Sequence, residues 1–140
     1  MSIYQIIKQD TNMKITTAIA RFLLGFIFLV FGLNGFLHFI PMSPAPSGTA
    51  GQFVGALFVS HYLVPIFLLQ IISAVLLLVN RYVPLALTLL APIIVNILLI
   101  HILMLPSGLP LAVVVTVLWI VVFLSVRSAF AGLFQERVTA

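Results

Sequence analysis

The sequence contains no cysteine and very little charge. Without cysteine, disulfides, thiolate metal sites and cysteine nucleophiles are excluded. Only six Lys and Arg and two Asp and Glu occur among 140 residues, whereas about a quarter of a soluble domain is charged. Hydrophobic residues make up 64% of the chain, and the mean hydropathy is +1.36. The surface must therefore meet lipid, which places the chain among integral membrane proteins.

Acidic residues are absent from every apolar run of the sequence. This absence excludes carboxylate pairs for general acid–base catalysis and carboxylate proton relays within a membrane. A phosphate-binding P-loop, a nucleophile elbow and a closely spaced histidine pair for zinc are missing too. The basic residues are scattered and form no patch for nucleic acid. We therefore expect no metal site and no nucleic-acid partner, and catalysis by this chain alone is disfavoured.

Four apolar segments are present, and they predict an all-α membrane protein, a four-transmembrane-helix bundle. The predicted spans are 16–40, 62–79, 82–105 and 109–127. Together they form a transmembrane domain at 16–130, between a cytoplasmic N-terminal segment at 1–15 and a cytoplasmic tail at 131–140. Residues 52–60 are apolar but too short to span, so they are either re-entrant, interfacial or part of the second span.

The basic residues predict the orientation of these spans. Lys and Arg occur only before or at the start of the first span, between the second and third, and after the fourth. They are Lys8, Lys14, Arg21, Arg81, Arg127 and Arg137. The connections 41–61 and 106–110 contain none. Because basic residues favour the cytoplasmic side, both termini are predicted to lie inside.

Polar side chains within the spans are the candidates for a site, because burying them in lipid is costly. Counting about 1.5 Å per residue places His38 near the outer surface, Asn34 about 6 Å deeper and His101 about 6 Å in. We predict that these three form one outward-opening ligand site; the alternative is that they link helices by hydrogen bonds. Trp119 lies too deep for an interfacial aromatic belt. It is therefore predicted to be either a pocket wall or part of the core.

Two further polar residues, Gln70 and Asn96, share a depth of about 13 Å on neighbouring spans. We predict interhelical polar contacts for them, with membership of the ligand site as the alternative. A second alternative concerns cofactors, because His38 and His101 could ligate haem from two sides. Their different depths disfavour this arrangement.

The first span carries Arg21 and a stripe of small residues, Gly25, Gly32 and Gly35, that predicts close helix packing. An Arg, a Gly four residues later and a further Gly before a polar residue, here Asn34, resemble the opening of DoxX-like membrane proteins. The chain length, the four spans and the short outer turn between the third and fourth spans are similar as well.

The second span departs from this resemblance. DoxX-like proteins often carry a Glu followed by paired glycines there, whereas this sequence has Gln70-Ile71-Ile72-Ser73-Ala74. The charge and the glycines are gone, so the acid chemistry of that site is not expected here.

The resemblance implies a bacterial inner-membrane protein, in some members a subunit linked to quinone-dependent oxidoreductases. More distant relatives look like assembly factors for membrane proteins. We therefore expect a small accessory subunit that binds a quinone or another lipid-soluble molecule, or that supports a redox complex. The alternatives are a non-catalytic assembly or scaffold protein and a small transporter of a neutral solute. The expected partners are the bilayer and either another membrane protein or a second copy of the chain.

Overall fold

A computed structural model of the chain describes residues 1–41 and 44–137. Every regular element within these ranges is helical, which confirms the predicted all-α class. The last three residues of the predicted tail 131–140 lie outside the described residues. The elements are α1 (Ile3–Leu37), α2 (Gly48–Val59), α3 (Leu63–Leu78), α4 (Val83–Leu103), a 3₁₀ helix (Pro106–Gly108), α5 (Leu109–Val126) and a second 3₁₀ helix (Arg127–Phe134).

Three helical segments are long and apolar enough to cross a membrane: α1, α4 and the run Pro106–Phe134 that contains α5. Helices α2 and α3 are bent by 83° at the short break between them. Counted together as one broken span, they give a fourth candidate span. The chain is therefore a multi-pass membrane protein by the length and composition of its helices. The segment 52–60 covers most of α2 and the residue that follows it. Helix α2 is bent away from the axis of α3.

Helix α1 begins much earlier than the first predicted span, at Ile3 rather than near residue 16. A capping box starts it: the Ser2 hydroxyl accepts from the Gln5 N–H at 3.3 Å, and the Gln5 side-chain oxygen accepts from the Ser2 N–H at 3.0 Å. These bonds satisfy two donors that a helix start leaves free. Its 35 residues extend over about 52 Å, longer than a hydrocarbon core of about 30 Å.

The four long helices pack in a ring, in which α1 contacts α3, α3 contacts α4, α4 contacts α5, and α5 contacts α1. Short connections make α4 antiparallel to both α3 and α5. Helix α1 is antiparallel to α3, since Gly25 lies beside Ala74 and Gly35 beside Phe67. The fully buried side chains are Leu24, Ser73, Ala74, Leu77, Ala86, Leu87, Leu90 and Val122, all with 0% exposure. Most of them lie toward the end of the bundle that carries Arg21, Arg81 and Arg127, hereafter the basic end.

Close packing of α1 on α3 depends on the glycines of α1. A Cβ added to Gly32 would come within 2.8 Å of the Ile71 side chain, and one added to Gly25 within 3.2 Å of the Ala74 carbonyl oxygen. Such distances are below ordinary van der Waals contact, so only glycine permits this separation of the backbones. The predicted packing role of these glycines agrees with these contacts.

Arg21 has a structural role that its use as an orientation signal did not predict. Its guanidinium Nη1 donates a hydrogen bond to the Leu77 carbonyl oxygen, near the C-terminus of α3. The last carbonyls of a helix lack partners within the helix, and a cation there also opposes the negative end of the helix dipole. Arg21 therefore fastens α1 to the end of α3 at the basic end.

Candidate functional site

A cavity of about 910 Å³ occupies the opposite end of the bundle, where α1 ends and α3 begins. This end is hereafter the cavity end. All four long helices contribute to the wall, and Val54 and Phe58 of α2 contribute as well. Because α2 is bent by 83° from α3, it lies across the bundle axis at this end. The polar side chains of the wall are Asn34, His38, Gln70 and His101.

The apolar part of the wall consists of aliphatic and phenylalanine side chains, including Phe28, Phe31, Phe67, Ile97, Ile100 and Val115. Among the described residues, no Asp, Glu, Lys or Arg lines the cavity. Its chemistry is therefore apolar burial combined with hydrogen bonding by uncharged groups, which suits a neutral ligand. No group of three or more His, Cys, Asp or Glu that could hold a metal ion occurs in residues 1–41 and 44–137.

Asn34 lies near the end of α1 and accepts hydrogen bonds from the backbone that follows the helix. Its side-chain oxygen accepts a hydrogen bond from the Ile40 N–H at 2.6 Å, and its backbone carbonyl accepts from the His38 N–H at 2.9 Å. The chain reverses here because His38 adopts a left-handed conformation with φ 53°. The amide nitrogen of Asn34 is a further hydrogen-bond donor. His38 is exposed and lies at the rim of the cavity.

His101 lies in the last turn of α4, and its ring is held on two sides. The ring nitrogen Nδ1 is 2.8 Å from the Leu105 carbonyl oxygen. Gly108 lies against the ring, and a Cβ at this position would overlap it. The tight turn after α4 is thus shaped to hold this imidazole, and the requirement for glycine at 108 follows from it.

Gln70 is the most buried polar residue of the cavity wall, with 7% exposure. Its side-chain oxygen has no hydrogen-bond partner among the described residues. Burying an unpaired amide oxygen costs free energy, roughly 1–3 kcal/mol. Such a group facing a cavity is therefore a place where a ligand or a water molecule gains a hydrogen bond. The Ser73 hydroxyl, one turn further along α3, is likewise buried and unpaired within the described residues.

Asn34, His38 and His101 all line one cavity, and Gln70 lines it with them. Their role in binding a ligand stays a prediction. Each of the first three lies near a helix end, so the residue count gave its position along the helix. Gln70 was assigned to an interhelical contact because its depth matched that of Asn96, and no sequence signal gave its rotation about the axis of α3.

Asn96 differs from the expected interhelical contact. Its side chain is exposed, and its amide nitrogen donates to the Pro92 carbonyl oxygen of its own helix at 2.8 Å. A polar side chain that faces lipid satisfies its donor through the preceding turn when no partner helix is within reach. Asn96 and Gln70 therefore share a depth but point in different directions.

Trp119 belongs to the core and not to the cavity wall. Its ring stacks on Phe123, with centroids 5.1 Å apart and an interplanar angle of 7°. Its indole N–H donates to the Leu87 carbonyl oxygen at 3.0 Å. Of the two roles predicted for Trp119, core packing is the one that these contacts support, since a buried indole N–H needs a partner.

A second, smaller groove of about 580 Å³ lies near the basic end, between the first half of α1 and the end of α5. Polar residues of α1 form one side of this groove: Gln5, Lys8, Gln9, Asn12, Thr16 and Thr17. Val121 and Leu124 form the other side with Ser125. The long polar stretch of α1 is thus turned toward its own bundle.

No family model, curated protein or solved structure matches this chain. The resemblance to DoxX-like proteins therefore stays a prediction.

Proposed function

We propose that this chain is a small accessory membrane protein that binds an uncharged, lipid-soluble molecule, such as a quinone, in the cavity between its helices. The observation that carries the proposal is the cavity of about 910 Å³, whose wall is apolar except for four uncharged polar side chains. Binding cavities for small molecules range over about 300–1,000 Å³ and combine apolar walls with a few polar groups. The volume suits a ring together with part of an apolar tail.

The composition of the wall also favours binding over catalysis by the chain alone. Among the described residues of the wall, no carboxylate accompanies the two histidines. A redox reaction of the ligand would accordingly need a partner that supplies the electron carrier. An accessory role beside such a partner is consistent with the DoxX-like resemblance.

We further propose four spans, with α2 and α3 together as the second, and both termini on the cytoplasmic side of a bacterial inner membrane. Helix α3 alone has 16 residues, about 24 Å, which is short for a hydrocarbon core of about 30 Å. The segments that follow α3 and α5 carry Arg81 and Arg127, while the two connections at the cavity end carry no Lys or Arg. This asymmetry supports an outward-facing cavity.

Single cysteines test the orientation cleanly, since the chain has no cysteine of its own. Ser47→Cys and Asn80→Cys both replace exposed residues in connections at opposite ends. In intact cells an impermeant thiol reagent should label the cysteine at position 47 and not the one at 80. Labelling of position 80 alone would contradict the orientation.

Binding is tested by purifying the protein in a mild detergent and analysing the organic extract by mass spectrometry. Ile100→Trp fills the cavity, whereas Leu99→Trp, on the same helix, adds the same bulk to a lipid-exposed position outside it. We expect a lipid-soluble molecule to co-purify with the unchanged protein and with Leu99→Trp, and to be largely lost from Ile100→Trp. Circular dichroism and size-exclusion chromatography should show that both variants fold.

Equal ligand content in the two tryptophan variants, or no ligand in any of the proteins, would contradict the proposed function. Both results are interpretable because the two substitutions add the same side chain to neighbouring positions of α4.

A role in binding another membrane protein is the second candidate, and the groove at the basic end is the observation that favours it. A photo-crosslinking residue at Asn12, which lines the groove, should capture a defined partner in native membranes. The same residue at Thr11, whose hydroxyl is bonded to the Ile7 carbonyl outside the groove, serves as the control. Crosslinks from Thr11 alone, or to lipid alone, would contradict this candidate.

A further inference from the structure

We propose that the cavity selects ligands that present a hydroxyl hydrogen to His101, so that the hydroquinone of a quinone pair is the form it prefers. This inference rests on the proposed function and narrows its ligand class. It follows from which atoms of the polar wall are already occupied by hydrogen bonds within the protein.

His101 sets the preference because its proton position is fixed by its neighbour. A carbonyl oxygen can only accept, so the short contact between Nδ1 and the Leu105 carbonyl requires the hydrogen on Nδ1. In the neutral ring, Nε2 then carries no hydrogen and is an acceptor. Nε2 makes no hydrogen bond within residues 1–41 and 44–137, and turning the ring would break the Nδ1 bond.

Gln70 adds a second acceptor to the wall. Its unpaired side-chain oxygen is more than nine-tenths buried and lines the same cavity. An amide can rotate to exchange its oxygen and nitrogen, so Gln70 adapts to either kind of ligand group. His101 has no such freedom, because its hydrogen is fixed on Nδ1. It therefore discriminates between a ligand hydroxyl and a ligand carbonyl, whereas Gln70 can bind either group.

Asn34 supplies the complementary donor. Its oxygen already accepts a hydrogen bond from the Ile40 N–H, and its amide nitrogen adds a donor for a ligand. A hydroxyl group both donates and accepts, and can therefore satisfy an acceptor such as His101 Nε2 or a donor such as Asn34. A ligand with carbonyl oxygens alone can pair with Asn34 but leaves Nε2 of His101 unpaired where it displaces water from the cavity. An acceptor that loses water without gaining a donor costs free energy, and this cost disfavours the carbonyl form.

The test compares a long-chain alkylphenol with its methyl ether, which has the same tail and ring but no hydroxyl hydrogen. Binding to the purified protein in detergent is measured by isothermal titration calorimetry, and titration of each compound into protein-free micelles corrects for partition into the detergent. We expect the phenol to bind about tenfold more tightly, a difference of about 1.4 kcal/mol.

Two variants assign this preference to His101. His101→Leu should bind the phenol and the ether within about twofold of each other, since its wall has lost the fixed acceptor. Gly108→Ala should reduce the preference in the same direction, because its Cβ displaces the ring. Gly132→Ala is the matched control: a Cβ there meets nothing within 4 Å, and the residue lies outside the cavity. It should keep the tenfold preference.

Equal binding of both compounds by the unchanged protein would overturn the inference and leave the proposed function intact. Binding of neither compound would contradict the proposed function itself. A preference that persists in His101→Leu would overturn the role of His101. If His101→Leu fails to fold, the comparison of Gly108→Ala with Gly132→Ala decides whether the preference for the phenol depends on His101. An unchanged preference in Gly108→Ala would overturn the role of His101.

Discussion

The two ends of the helix bundle are built from the same four helices but differ in how closely these helices pack. At the basic end, Leu77, Leu87 and Val122 have no exposed surface, and Arg21 fastens α1 to the end of α3. At the cavity end, the helices enclose about 910 Å³ and leave the Gln70 oxygen unpaired. Close packing thus holds the bundle together at one end, and the other end is free to keep a cavity.

The difference arises from residue size and from the connections. Small residues such as Gly25 and Ala74 let α1 and α3 approach closely toward the basic end. At the cavity end, Gly35 still faces α3 but meets the Phe67 ring, and α2 turns away by 83° instead of extending α3. Stability in this bundle is therefore expected to depend on position along its axis, and substitutions can test this.

The largest effect is expected for Leu87→Ala, which removes a side chain with no exposed surface from the core at the basic end. Truncation of a buried leucine costs roughly 2–5 kcal/mol, because the surrounding atoms cannot fill the space. Ile100→Ala at the cavity wall should cost less, since its side chain already borders empty volume. Thermal denaturation in detergent measures both. Equal losses of stability in the two variants would contradict the predicted difference in packing between the two ends.

Enlarging Gly25 is expected to cost about 1–3 kcal/mol, the usual range for overpacking. In Gly25→Val the added atoms meet the Ala74 carbonyl and the Leu77 side chain and push α1 away from α3. Gly55→Val in α2 is the control, because a Cβ at Gly55 meets nothing within 4 Å. The melting temperatures of the two variants in one detergent give the comparison. A larger loss for Gly55→Val would show that α2 contributes more to stability than the α1–α3 contact.

Removing the charge of Arg21 should have an intermediate effect. Arg21→Met keeps the apolar stem but removes the hydrogen bond to the Leu77 carbonyl, at a cost of roughly 1.5 kcal/mol. Hydrogen–deuterium exchange followed by mass spectrometry should show faster exchange around the C-terminal end of α3. Unchanged exchange there, with the same melting temperature, would mean that Arg21 acts in orientation alone.

The smallest effect is expected for Asn96→Leu, within about 0.5 kcal/mol of the unchanged protein. Its amide bonds only to its own helix and the side chain is exposed, so a leucine at this position meets lipid without loss of an interhelical contact. The melting temperature in detergent checks this expectation. A loss of several degrees would instead support the interhelical contact predicted from the sequence.

Composition and pattern were sufficient for the class of the protein and for much of its layout. Low charge and long apolar runs predicted an all-α membrane protein, and proline and glycine clusters predicted where the helices break. The polar residues near helix ends, Asn34, His38 and His101, line one cavity, and their positions along the helices follow from the residue count alone. The glycines of α1 likewise predicted a close contact before the partner helix was known.

The sequence alone did not determine how each helix is rotated about its axis. In a soluble protein, apolar residues that recur every three to four positions mark the buried face of a helix. Here both the lipid face and the core are apolar, so this signal is missing. The structure therefore decided that Gln70 faces the cavity, that Asn96 faces outward and that Trp119 bonds to Leu87 in the core. It also decided that the turn after α4 fixes the proton of His101, because the position of a carbonyl oxygen depends on the folded backbone and not on the identity of its residue.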